Sequence, residues 1–527
     1  MKAEGLNLQK PWAATAAQAN VIGMENRFQW AGLLFVFLLA LFVRLPFFRH
    51  VHYPLNDGGM FAQIVDDLRR NHFLLPVETT YNFEHIPLCY PPLGFYFGAL
   101  AAALLHQATT TVLIWMPLAF NLATVVAFYF LALEFLGAHY LATCASCLYA
   151  AVTRSSEWLI MGGGLTRSPG ELFAVLSFLF FVKATKRPEI RWAVLAGVAA
   201  GLSCLTHLEA GLLSAVSLAV LALFLPGLRR NLFLLCIAGA VSLAVTAPWL
   251  IWSLSTHGVG PYIAALLTHG SSRSALHNKT LLLLLAVGVV LAFFKKPPFL
   301  IWLFADMFFV PRSGPTHSVI MYALFFAWLV GLCVDSLRRW TEIPKSRIAL
   351  AATLLFCFFW TAKSVTSIRW YLSPGDRLRD LEVNSRAALS LEDAEAMRWA
   401  RENTKPDARF FVFNQRIAPW DHDLRAEWFP YIAQRQSIYT VQGTEWLPGR
   451  AYQAGENRTA AFDQIDSEPE LVKLIQPAHF DYIFLAGPYD PNRARCAALI
   501  RSLPNFRMVY KTANTEIWQH DGFGKTP

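Results

Sequence analysis

Acidic residues are what the first two-thirds of this chain most lack. Only 15 Asp and Glu precede position 373, against 26 Lys and Arg, a balance of +11. Residues 373–527 hold 21 acids against 19 bases, a balance of −2. Charged residues make up just 15% of the 527 positions, while 55% are hydrophobic, beyond the range of a water-soluble domain. The basic residues lie between apolar runs and form no patch on a soluble face, so the net charge of +9 gives no reason to expect a nucleic-acid partner. Cysteine is also sparse. Of eight, six lie in apolar runs and only Cys89 and Cys496 fall in expected loops, which excludes a disulfide framework. Cys144 and Cys147 form a lone Cys-x-x-Cys with no histidine set beside it, and read as helix packing. No internal repeat or low-complexity segment is present. No cleavable leader is expected either: residues 1–27 are mixed and polar, and the first apolar run, Trp30 to Phe48, is long enough to remain as an anchor.

What is present is a series of long apolar runs. They predict eleven spans, at about 28–48, 112–136, 139–154, 167–183, 191–206, 208–225, 231–254, 279–294, 297–311, 318–337 and 347–370. Several are short, about 15 or 16 residues or roughly 24 Å of helix, which suits a bundle dented by a cavity. Four basic clusters fix the expected orientation: Lys183 to Arg191, Arg229-Arg230, Lys295-Lys296, and Arg338 to Arg347. All four fall on the cytoplasmic side if residues 1–27 are cytoplasmic and Tyr90 to Leu105 lies on the outer face without crossing. The first external loop is then 49–111, the membrane domain 28–372, and residues 373–527 form an extracytoplasmic α/β domain. In that domain Leu391 to Glu402 reads as an amphipathic helix, and Arg409 to Asn414 and Phe480 to Leu485 as buried strands. Arg507 to Tyr510 and Glu516 to Gln519 read as a hairpin.

The densest chemistry follows the first span. Asn56-Asp57-Gly58-Gly59-Met60-Phe61-Ala62 puts a carboxylate on a glycine turn close to the membrane surface. An amphipathic helix follows, with Phe61, Ile64, Val65 and Leu68 on one side, and then Tyr90-Pro91-Pro92-Leu93. A carboxylate after helix one, an interfacial helix and a Tyr-Pro-Pro-Leu together resemble the GT-C superfamily of membrane glycosyltransferases, which use polyprenyl-phosphate-linked sugars. The Asn-Asp-Gly start is similar to bacterial and archaeal oligosaccharyltransferase catalytic subunits. The resemblance covers residues 28 to 372 and implies an all-α polytopic bundle acting as an inverting glycosyltransferase in a bacterial or archaeal cytoplasmic membrane. Its expected partners are a lipid-linked sugar donor, membrane lipids and an acceptor glycan, lipid or protein.

Such a transfer needs a base to deprotonate the acceptor and cations to hold the departing phosphate. Asp57 is the expected base, because Gly58 and Gly59 permit close approach; its bland alternative is an N-cap for the helix that follows. Glu84-His85 is a second candidate pair, and Tyr90 closes the same loop. In the second external loop, Arg154 and Arg167 are candidate phosphate ligands and Glu171 a candidate acid. Oligosaccharyltransferases carry an Asp-x-Asp there that helps hold a metal, and only Glu171 stands near that position. That departure leaves two readings: a divalent cation, Mg²⁺ or Mn²⁺, between Asp57 and Glu171, or a reaction with no metal cofactor. His207 and Glu209 flank Leu208 where many GT-C chains have Thr-His-Pro. Arg312 and His317 lie on a late external turn where GT-C members commonly place an arginine for the lipid phosphate. Asp306, mid-span, is expected to pair with a neighbouring helix. Glu427-Trp428 and Glu445-Trp446 are candidate sugar-stacking pairs. The Trp-Trp-Asp motif of sequon readers is absent, which argues against sequon-directed protein N-glycosylation. Two readings of other classes remain: a transporter using the outward acids, and a membrane scaffold with a glycan-binding domain.

Overall fold

The computed structural model describes residues 16–48, 52–54, 56–268, 283, 286–290, 297–310, 314–372, 389–414, 423–449, 451–461, 465, 467–475, 479–486, 491–503 and 505–521. Apolar runs fold as helices because a backbone among apolar groups must satisfy its own N–H and C=O groups. They give α1 (Ala16–Arg44), α3 (Leu93–Leu104), α4 (Thr109–Leu136), α5 (His139–Ala151), α6 (Gly164–Lys186), α7 (Arg191–Thr206), α8 (Leu208–Phe224) and α9 (Leu228–His257), followed by α10 (Gly260–Thr268), α11 (Phe299–Phe309), α12 (Gly314–Trp340) and α13 (Lys345–Leu372). Among the described residues, five helices are long and apolar enough to cross a membrane: Thr109–Leu136, Gly164–Lys186, Leu228–His257, Thr316–Trp340 and Lys345–Ile368. Trp30–Arg44, Arg191–Thr206, Leu208–Phe224 and Phe299–Phe309 are apolar but shorter. Ten of the eleven expected spans coincide with a described helix, and 279–294 lies mostly outside the described residues. Helix α3 has 12 residues, or about 18 Å at 1.5 Å per residue, too little to cross.

A fully buried charge ties the start of the bundle together. Arg44, ending α1, donates to Asn121 Oδ1 of α4, to the Ala150 carbonyl of α5 at 3.0 Å and to Ser155 Oγ at 3.3 Å. Asp306 is paired within the bundle as expected: its Oδ1 accepts from Ser217 Oγ of α8 at 3.3 Å. Cys144 and Cys147 are buried free thiols in α5.

The C-terminal segment forms a five-stranded sheet in the order β4 (Gln436–Ser437), β3 (Arg409–Asn414), β5 (Tyr482–Ala486), β7 (Thr515–His520), β6 (Phe506–Lys511). β3 runs parallel to β4 and β5; β7 is antiparallel to β5 and β6. The expected helix is α14 (Leu391–Asn403), and α15 (Leu424–Ala433) precedes β4. Side chains alternate across a strand, so β3 and β5 feed two cores. Phe411, Phe413, Ile483 and Leu485 pack on Leu471 and Ile500. Phe410, Val412 and Phe484 join Trp428 and Phe429 in one core with Phe61, Val65, Tyr81 and Phe95 of the first loop. The C-terminal sheet and the first loop are therefore held by shared hydrophobic burial.

That shared core corrects one expectation. α2 (Gly58–Arg70) is amphipathic, but its polar side is only partly free: ten of its residues are buried, while Arg69 and Arg70 are exposed. Asp67 is among the buried ten, accepting from Thr79 Oγ1 at 2.8 Å, Thr80 N at 2.9 Å, Thr80 Oγ1 at 2.7 Å and Gln63 Nε2 at 3.0 Å. Around Asp67 the polar side is covered by the short hairpin of β1 (Glu78–Thr79) and β2 (Ile86–Pro87), and α15 packs on the same helix.

Candidate active site

The Asn56-Asp57-Gly58-Gly59 turn is where three parts of the chain meet. Asp57 precedes α2 in the left-handed region, φ 68°, and makes no side-chain cap hydrogen bond. Asp57 holds the N-cap position and its carbonyl accepts from Phe61 N at 2.9 Å, but its carboxylate does not cap the helix. Its Oδ2 instead accepts from Arg167 Nη2 at 2.6 Å, with the arginine side chain 7% and the aspartate 20% exposed. Arg167, in the first turn of α6, also donates to Asn56 Oδ1 at 2.8 Å and lies 3.8 Å above the Trp158 ring. A guanidinium held on one face by an indole and on its edge by two acceptors has little rotational freedom.

The glycines serve close approach here. A Cβ on Gly162 would stand 2.5 Å from the Gly58 backbone, and Gly163 N donates to the Asn56 carbonyl at 2.6 Å. From the other side, a Cβ on Gly59 would stand 2.3 Å from the Glu427 carbonyl oxygen. The second loop and the C-terminal α15 thus clamp the turn between them. Glu427 Oε2 accepts from Asn56 N at 3.0 Å and Oε1 from Gly59 N at 3.1 Å, one on each side of Asp57. Trp428 Nε1 donates to the Pro54 carbonyl at 3.1 Å, and Tyr81 donates its hydroxyl to the Glu427 carbonyl at 2.6 Å. Both Glu427 and Trp428 are 0% exposed, so they support the turn and offer no surface for sugar stacking. Burial, and then the neighbouring Asp57, hold the Glu427 carboxyl well above the usual carboxylate range.

Tyr90 extends the cluster. Its hydroxyl donates to Glu445 Oε1 at 2.6 Å and its ring meets Trp446 edge-on at 4.9 Å. Burial and the Glu445 and Asp57 charges push the Tyr90 hydroxyl up, keeping it a neutral donor.

Other expected residues are placed elsewhere. Glu171, one turn beyond Arg167, lies with Oε2 2.6 Å from His317 Nδ1, both nearly fully buried. His207 packs against Gly170, whose Cβ would meet the His207 Cβ at 3.1 Å, and Glu209 follows in the first turn of α8. Glu84 is half-buried beside Asn82, and burial raises its carboxyl to about 7, with Arg458 opposing. His85 is exposed, its Nδ1 2.7 Å from Glu78 Oε1, a surface pair apart from the turn. Arg154 is exposed on a short helical turn. Arg312 lies outside the described residues. Asp57 and Glu171, expected as cation ligands, have separate partners in Arg167 and His317. No group of three or more His, Cys, Asp or Glu converges among the described residues. The residues that sequence reasoning did not assign to this site are Asn56, Trp158, Glu427 as a turn support, and Glu445 as the Tyr90 partner. Only Asn56 carried a signal, by its place in the motif.

Against known proteins, residues 90–252 match the family model described as dolichyl-phosphate-mannose-protein mannosyltransferase. No curated protein sequence matches. The archaeal oligosaccharyltransferase AglB from Archaeoglobus fulgidus, in complex with an inhibitory peptide and a dolichol-phosphate, is 15% identical with a TM-score of 0.55, over 87% of this chain and 69% of that one. The Archaeoglobus fulgidus oligosaccharyltransferase in complex with Zn and sulfate gives 16% and 0.57, over 86% and 68%. ArnT from Cupriavidus metallidurans bound to undecaprenyl phosphate gives 14% and 0.50, over 95% and 98%. At these identities the likeness is one of fold. The chain shares its fold with these oligosaccharyltransferases and with ArnT, and five of its described helices are long and apolar enough to cross a membrane.

Proposed function

We propose that this chain is an integral-membrane glycosyltransferase of the GT-C superfamily. It moves a sugar from a polyprenyl phosphate or pyrophosphate donor to an acceptor at the extracytoplasmic face. The fold and the family-model match support a polyprenyl-phosphate-dependent transferase of this superfamily. The single observation that carries the site is Asp57, held on a strained turn by Arg167 on one side and by Glu427 through the backbone on the other.

Asp57 is the general base in this reading. Arg167 engages Oδ2, and Oδ1 is the oxygen that takes the acceptor proton as the nucleophile attacks the anomeric carbon. Because the turn is fixed before substrate arrives, the carboxylate needs no reorganisation at the moment of reaction. Arg167, and Arg312 from the sequence resemblance, supply the positive charge that meets the departing phosphate oxygen. The membrane domain is residues 28–372 and the catalytic face lies on the side of the 373–527 domain.

Purified protein in nanodiscs, incubated with a radiolabelled polyprenyl-phosphate sugar, separates the readings. Hydrolysis or transfer of the label marks the enzyme. Binding without turnover marks a scaffold, and movement of the label across the bilayer of sealed liposomes without bond cleavage marks a transporter; either would overturn the reading.

A further inference from the structure

A cavity lies at the far end of α2, about twelve residues beyond Asp57 and therefore roughly 18 Å away along the helix. It has a volume of about 760 Å³, and its lining includes Arg69 and Arg70 from α2, Arg398 and Arg401 from α14, and Tyr53 and Tyr431. Cavities of a few hundred cubic ångströms accept a headgroup-sized ligand.

The charge of this cavity is unbalanced. Among the described residues Asp66 is its one acid, and that carboxylate is already occupied, accepting from Thr109 Oγ1 at 2.6 Å and Tyr431 Oη at 2.9 Å, with Arg69 Nη1 at 3.5 Å. Arg70 pairs with Asp67 at 3.3 Å, outside the lining. Arg398 and Arg401 form no ion pair among the described residues and lie on the exposed side of α14, whose opposite face (Ala394, Met397, Ala400) is buried.

The position of the cavity is equally specific. Thr110 in the lining belongs to the first turn of the apolar helix Thr109–Leu136, and Ala103 to the last turn of α3. Beside Ala103, Leu100, Leu104 and Leu105 are exposed. The cavity therefore has arginines on its domain side and apolar residues where a span enters the bilayer. Guanidinium forks match phosphate oxygens, and an anionic lipid presents its phosphate at this depth.

We infer that this cavity binds the phosphate-bearing headgroup of an anionic lipid at the membrane–water boundary. The lipid would bridge α14 to α2 and so brace the domain against the bilayer. This binding is independent of the transfer reaction at Asp57.

The test uses the full chain in nanodiscs of phosphatidylcholine with and without phosphatidylglycerol, with co-purifying lipid counted by native mass spectrometry. Retention of phosphatidylglycerol over phosphatidylcholine is expected, with at least a fivefold loss in the Arg398→Gln, Arg401→Gln double variant. Recovery of most retention in the Arg398→Lys, Arg401→Lys pair is also expected, which excludes misfolding as the cause of the loss. Equal retention of both lipids overturns the assignment, as does unchanged retention in the glutamine variant. Displacement of the lipid by millimolar inorganic phosphate also overturns it, because the ligand would then be soluble phosphate.

Discussion

Glu427 accepts hydrogen bonds from the backbone on both sides of Asp57, at Asn56 N and Gly59 N, although it lies in a different part of the chain. The C-terminal domain thus sets the position of the candidate base. Glu427→Gln keeps one acceptor but turns an amide N–H₂ towards a backbone donor, an arrangement worth about 1–3 kcal/mol when buried. The variant is expected to lose transfer rate more than donor affinity, and to shift the pH profile of transfer. A structural prop alone would lower the unfolding temperature and leave turnover per folded molecule unchanged. Measuring kcat, KM and thermal unfolding of the same preparation distinguishes the two.

Arg167 should be sensitive to shape as well as charge. Arg167→Lys keeps a cation near Asp57 but gives up the flat face on Trp158 and the reach of the Nη2 that donates to both Asn56 and Asp57. Partial activity is expected for lysine. Glutamine should lose about 2–4 kcal/mol of transition-state stabilisation, the range for removing a donor to developing charge. Equal rates for the two variants would show that only bulk at this position matters.

Close backbone packing makes a third, purely steric test. Gly162→Ala would drive a methyl into the Gly58 backbone at 2.5 Å, where nothing flexible can yield. A loss of about 2–4 kcal/mol, or of expression, is expected from this overpacking. Gly239→Ala is the control: its Cβ meets nothing within 4 Å in the long helix α9, so little change or a slight gain is expected. Thermal unfolding of both variants in the same nanodiscs decides the matter.

Glu84 gives stability a pH dependence. Burial raises its folded-state carboxyl to about 7, above the ordinary value of 4.5, so the folded protein prefers the protonated form. Its contribution is fully present below about pH 4.5 and is lost as pH rises through 7, up to about 3 kcal/mol before solvent screening. Glu84→Gln removes this slope, so the variant should match the parent at pH 4.5 and exceed it at pH 8. Parallel melting curves at the two pH values are the measurement, and a parent that gains on the variant with rising pH would reverse the sign.

Much of this architecture was legible in the sequence, because apolar length and period-two alternation report directly on helix and strand. The strand Arg409–Asn414 and the hairpin around Thr512 to Asn514 follow that pattern. Asp57 was legible as a candidate because glycines beside a carboxylate signal an unusual turn. The turn's supports were not. Glu427 sits in a helix whose sequence offers Glu-Trp as readily to solvent as to a core, and only tertiary packing buries it against a loop more than three hundred residues away. The polar side of α2 misled for the same reason: Asp67 looks solvated until the Thr79-Thr80 donors fold over it. Long-range satisfaction of a buried polar group leaves no local period to read.

Asp57→Asn tests the central claim most directly. Asparagine is nearly isosteric and can still accept from Arg167 through its side-chain oxygen, but it cannot take a proton from the acceptor. Transfer of label from a polyprenyl-phosphate sugar, measured per folded molecule, is expected to fall at least about a hundredfold, the scale of a lost general base. Binding of the lipid-linked donor and the unfolding temperature should stay close to the parent's. Turnover at the parental rate in folded Asp57→Asn would contradict Asp57 as the base and, with it, the mechanism built on this turn.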